Sequence, residues 1–144
     1  MYTPLLCLLG FVAWTLLLVA VGIGGVRVGS VLTGIAPIDG FPADEPHGSP
    51  RYRRLMRAHV NCVENLPLFA TVVLTGAIMH AGSAHMDTLA LTYLGARVFQ
   101  SLVHIASGSA VAINLRFAGF VVQLVCLTWM GVLVWRAIEA SSFV

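Results

Sequence analysis

From Pro4 to Val26 the chain runs without one charged side chain. A bilayer is crossed by about 20 predominantly apolar residues, so this run alone sets the class: it is a spanning helix. The composition agrees, with 58% hydrophobic and 10% charged residues and a mean hydropathy of +0.90. A soluble domain carries about 25% charged residues, and this chain lacks the polar surface to cover a compact globule. Soluble enzymes, nucleic-acid binders and disordered segments are excluded together. The net charge of +2 is eight arginines against six acids with no lysine, which is no nucleic-acid signal.

The pattern predicts an all-α, integral membrane four-helix bundle, one domain over residues 1–144, with spans near 4–26, 54–80, 87–108 and 115–137. The last span closes on Trp135 and Arg136, the aromatic and cation expected at a headgroup boundary. The first has no basic leader and no clear small-residue cleavage site, so it is read as a span and not as a signal peptide. Residues 27–50 hold four prolines and four glycines and read as a long irregular loop; 109–115 read as a short one. Arg27, Arg51, Arg53, Arg54, Arg57 and Arg116 gather at the loop side and only Arg136 at the terminal side. The positive-inside rule then puts both loops in the cytoplasm and both termini outside. Cys7, Cys62 and Cys126 lie inside apolar or helical stretches and read as buried small residues, not as a disulfide framework. Arg51 and Arg53 read as headgroup anchors, and membrane lipids are expected partners.

Ionisable residues inside spans are costly and usually mark a site. Arg54, Arg57, Asn61 and Glu64 recur at spacings of three and four, and so do Arg97, Gln100 and His104. Each set shares one helix face. Antiparallel pairing would set Glu64 against Arg97, Asn61 against Gln100 and Arg57 against His104. A turn centred between Ser83 and Ala84 instead shifts that register by six residues, about 9 Å of rise. A packing network tends toward neutrality, yet Glu64 alone answers Arg57 and Arg97, with Arg27 and Arg116 entering from the same side. Guanidinium groups bind carboxylates bidentately, so the surplus points to an anionic ligand with several carboxylates. Gln123 in the fourth span is read as a hydrogen-bond partner for a neighbouring helix or subunit.

The segment from Arg54 to Phe69, with Arg57-Ala-His-Val-Asn61-Cys-Val-Glu64 and then Pro67-Leu-Phe69, resembles the signature of the membrane-associated proteins in eicosanoid and glutathione metabolism, the MAPEG family. The motif is most similar to the leukotriene-synthase branch, and the minimal architecture resembles a bacterial member placed in the inner membrane. The resemblance implies a homotrimer with glutathione bound between subunits near the cytoplasmic face. By position it implies glutathione-binding roles for Arg57, Asn61, Glu64 and Arg97, with Arg27 at the end of the first span and Gln100 and His104 on the third. Arg116 resembles the arginine that stabilises the thiolate. Gln100 and His104 stand where the synthases often carry tyrosine, and Asn65 where they carry an aromatic residue, which leaves the substrate class open.

Together these imply a glutathione-dependent transferase or peroxidase acting on lipophilic electrophiles that arrive through the bilayer. Glutathione is the co-substrate; no metal and no haem are required. Three alternatives remain: a non-catalytic binding or scaffolding protein of the same fold, a b-type haem bundle using His59 and His104, and a small transporter.

Overall fold

The computed structural model describes residues 2–42 and 47–141. The first span is α1 (Tyr2–Leu17), a π-helical stretch (Leu18–Gly24) and α2 (Gly25–Leu32), continuous with one another. The other three spans are α3 (Pro50–Ile78), α4 (Ala84–Ala106) and α5 (Ala110–Ser141). All four are long and apolar enough to cross a membrane, and the chain is an integral, multi-pass membrane protein.

Two boundaries differ most from those read off the sequence. The first helix runs on past Val26 to Leu32, so Arg27 is helical and not a loop residue. Isolated glycines among valines do not stop a helix. It stops at Gly34, whose φ of 70° suits a residue without a Cβ. There the amide of Ile35 donates to the Ser30 carbonyl at 2.9 Å and that of Gly34 to Val31 at 3.1 Å, the Schellman closure. The loop between the third and fourth spans also shrinks, because Ser109 accepts from the Ala112 amide at 3.2 Å and starts α5 at Ala110. Arg116 therefore lies in the second turn of its helix and not at its head. The opening of α3 is capped in the same way: Ser49 accepts from the Tyr52 amide at 3.2 Å, and Pro50 takes the first helical position.

Between the second and third spans, α3 ends at Ile78 and α4 begins at Ala84, so the turn centres on Ala81 rather than between Ser83 and Ala84. That earlier centre removes most of the six-residue conflict. Cross-helix contacts Asn61–Arg97, Cys62–Ser101 and Arg54–Ile105 lie close to the mirrored register, although Asn61 meets Arg97 and not Gln100. The rotation of α3, however, differs from the expectation. Its buried line is Ala58, Cys62, Phe69, Val73 and Gly76, one residue round from the polar stripe. Small and apolar side chains win the interior over Arg57 and Glu64 because burying a charge without a partner is expensive. In α4 the buried line is Met86, Ala90, Tyr93, Arg97, Ser101 and His104, and here the polar residues do face inward.

The apolar core lies toward the terminal end. Phe69 and Tyr93 stack with ring centroids 4.3 Å apart and planes 3° from parallel, and Phe11 packs on both at 6.1 Å. All three cysteines are buried and free. Leu6, Leu9, Val21, Phe117, Leu124 and Trp129 are exposed, as on the lipid-facing side of a span.

Candidate functional site

At the loop end of the bundle, α3, α4 and α5 enclose a cleft of about 640 Å³ lined by Arg53, Arg54, Arg57, His104 and Arg116, with Met56, Val60 and Ile113 as its apolar wall. The Ser49 cap and Pro50 start α3 so that the three arginines lining the cleft fall within its first two turns. Arg54 is held by a hydrogen bond from Nε to the Ile105 carbonyl at 3.2 Å, which satisfies an otherwise open carbonyl in the last turn of α4. His104 is buried beside these groups and Arg116 is half-buried. No carboxylate lines the cleft, and none of its arginines forms an ion pair among the described residues. Four guanidinium groups in one concavity repel one another, and an anion with more than one negative group relieves that repulsion.

Deeper in the bundle lies a second polar layer. Arg97 is 2% exposed, with its guanidinium over the Phe11 ring at 5.6 Å. Its Nη1 donates to Gln100 Oε1 at 3.1 Å and, more weakly, to the Asn61 carbonyl at 3.4 Å. Among the described residues its Nε and Nη2 have no hydrogen-bond partner of good geometry, and neither does the buried Tyr93 hydroxyl, which lies next to Arg97. Cys62 Sγ and Ser101 Oγ stand 3.6 Å apart, and Ser101 donates to the Arg97 carbonyl at 2.9 Å.

The residues singled out in the sequence thus separate into groups. Arg57, His104 and Arg116 meet in the cleft; Arg97 and Gln100 lie behind it. Asn61 is half-buried between the two layers. Glu64 does not face Arg97: it is exposed, on the same helical line as the exposed Val60 and Leu68. The reason is the one-residue rotation of α3 already described. Arg27 is apart as well. Its Nε donates to the Tyr52 hydroxyl at 2.7 Å, its guanidinium covers the Phe41 ring at 5.4 Å, and it lines a separate groove of about 330 Å³ with Val31, Leu32 and Ile38. Arg53 and Arg54 line the cleft although the sequence reading kept Arg53 as a headgroup anchor; the Ser49-Pro50 helix start was the signal that could have placed them. Gln123 bonds Gln100 across the α4–α5 seam, as a neighbouring-helix partner should. No group of three or more His, Cys, Asp and Glu side chains able to hold a metal is found among the described residues.

Residues 4–135 match the family model described as the MAPEG family. The chain belongs to the MAPEG family. Among relatives of this MAPEG protein are leukotriene C4 synthase from Mus musculus and leukotriene C4 synthase from Rattus norvegicus, each 41% identical over 54 residues. The aligned stretch covers 37% of this chain and 36% of each relative. Both are mammalian, so the similarity does not single out a bacterial branch.

Proposed function

We propose that this MAPEG protein is a glutathione-dependent membrane enzyme, a transferase or peroxidase that presents the glutathione thiolate to lipophilic electrophiles. The observation that carries the reading is the acid-free cleft of Arg53, Arg54, Arg57 and Arg116 with His104 at the membrane boundary. Such a site suits a tripeptide with two carboxylates and an ionisable thiol. Kinship with leukotriene C4 synthases supports the same ligand. In this reading Arg57, Asn61 and His104 hold the peptide, Arg27 and Glu64 reach it from neighbouring surfaces, and Arg97 and Gln100 act from behind. Arg116 stabilises the thiolate. A free thiol has a pKa near 8.5, so a cation that favours the thiolate raises the reactive fraction at neutral pH.

A homotrimer goes with this function. Glu64 falls midway between Pro50 and Ile78, exposed among exposed valines and leucines. A bare carboxylate at that depth is costly in lipid, and a second copy of the chain covering it removes the penalty. The cleft and both loops face the cytoplasm in the proposed topology, in a bacterial inner membrane or its equivalent.

The test is glutathione titrated into the detergent-solubilised protein, with thiolate ultraviolet absorbance followed alongside affinity. Saturable binding with a thiolate signal at neutral pH is the expected result. Saturable binding with no thiolate signal supports a non-catalytic binding protein of the same fold instead, and no binding at all sinks the enzymatic reading in favour of a scaffold.

A further inference from the structure

Gln100 sits one turn beyond Arg97, on the face read from the sequence as ligand-facing. In the folded chain both ends of its amide are taken by protein. Oε1 accepts from Arg97 Nη1 and from Gln123 Nε2, each at 3.1 Å, while Nε2 donates to the backbone carbonyl of Arg116 at 2.9 Å. Gln123 is 2% exposed and also donates to the Gly119 carbonyl at 2.9 Å. The helices approach closely here. A Cβ added at Gly119 would lie 3.4 Å from Gln100 Cβ and 3.7 Å from the Ala96 carbonyl oxygen.

We propose that Gln100 and Gln123 are positioning residues for Arg116, a clasp that sets α5 against α4 and so fixes where the Arg116 guanidinium enters the cleft. The proposal rests on the glutathione reading above. Packing alone would be served by apolar side chains, since burying two amides brings a desolvation penalty, and Gln123 Oε1 has no hydrogen-bond partner among the described residues. The amide donor is spent on the main chain of the one residue whose side chain is assigned to the thiolate. That carbonyl lies inside α5, so the bond caps no helix end. The bonds also run in one direction: the Arg97 cation donates into Oε1, which polarises the amide and strengthens Nε2 as a donor. Replacing the amide frees α5 to slide or rotate over Gly119, and Arg116 moves with it.

The experiment compares Gln100→Met with the wild-type protein, since methionine keeps the length and removes the donor and the acceptor. Glutathione affinity and the pH at which half the bound thiol is ionised are measured separately. The groups facing that thiol are Arg53, Arg54 and Arg57 from α3, His104 from α4 and Arg116 from α5. In Gln100→Met the midpoint should rise by about one pH unit, roughly tenfold less thiolate at neutral pH, while affinity changes by less than about threefold. In an Arg116→Ala background the same substitution should add nothing, because residues that act as one unit are not additive. An unchanged midpoint, or a shift that persists in full without Arg116, overturns the clasp. Should the wild-type protein give no thiolate signal, the enzymatic reading fails and the clasp is judged by hydrogen exchange of residues 110–120. Faster exchange confined to that stretch in Gln100→Met supports it, and unchanged exchange overturns it. Gln123→Met, which removes one bond to Gln100 and leaves the bond to Arg116, should give a smaller shift in the same direction and serves if Gln100→Met does not fold.

Discussion

Cys62 and Ser101 meet across the α3–α4 seam with Sγ and Oγ 3.6 Å apart, and this contact marks the faces of the two helices that look inward. Cys62 has no exposed surface, so its thiol acts as a small packing group beside the Ser101 and Thr15 hydroxyls. Cys62→Ala is expected to keep glutathione binding. Cys62→Leu should destabilise the protein by about 1–3 kcal/mol through overpacking. Thermal unfolding in detergent checks both, and a leucine variant as stable as wild type would mean that the seam is looser than described.

Arg97 supplies the second prediction. Its guanidinium is buried against Phe11, bonded through Nη1 alone, and faces no carboxylate. A buried guanidinium that leaves two of its nitrogens unpartnered carries a desolvation penalty that an apolar side chain of similar length avoids. Arg97→Met should therefore raise the thermal midpoint while weakening the thiolate signal of bound glutathione, because Gln100 loses its charged donor. A variant that melts earlier than wild type would show that Arg97 is a net structural asset.

Glu64 behaves oppositely. It is exposed and forms no ion pair among the described residues, so Glu64→Gln should not destabilise the isolated subunit, because it removes a carboxylate that lipid penalises. Its effect should appear in assembly and ligand affinity, with weaker self-association by chemical cross-linking and at least tenfold poorer glutathione binding. Wild-type behaviour in both would remove Glu64 from the site.

Arg116 and Arg57 line the same cleft but are assigned different work. Bringing a thiol from pKa 8.5 to mostly thiolate at neutral pH takes about two units, or roughly 2.7 kcal/mol, within the range of one or two charge-assisted hydrogen bonds. Arg116→Ala should lose the thiolate absorbance and most turnover and retain much of the affinity. Arg57→Ala should lose affinity first. If Arg116→Ala keeps a full thiolate signal, the role passes to another guanidinium of the cleft.

The number of helices and their antiparallel order were legible because charge is scarce and its spacing regular; the α3–α4 register was not, because it depends on where the turn at Ala81 is centred. Nor were the end of α2 and the start of α5, because caps decide them: Gly34 closes the one and Ser109 opens the other. The facing of Glu64 was hidden for a different reason. Periodicity places Arg57, Asn61 and Glu64 on one line, but it cannot say whether that line or its neighbour through Ala58 and Cys62 turns inward. Gln100 was assigned to the ligand because a polar residue in a span has few other readings until its partners are seen. Both of its amide ends proved to be occupied by protein.

The first span, lastly, is not one uniform screw. The stretch Leu18–Gly24 is wound as a π-helix, which accommodates an extra residue within a helix. Everything after Gly24 is therefore out of phase with everything before Leu18 by about 100°, one residue's share of an α-helical turn. Phe11 indexes the earlier segment to the aromatic stack, and Arg27 indexes the later one to Tyr52. A single rigid α-helix could not keep both appointments, so the bulge works as a coupling between two differently timed halves of the same rod.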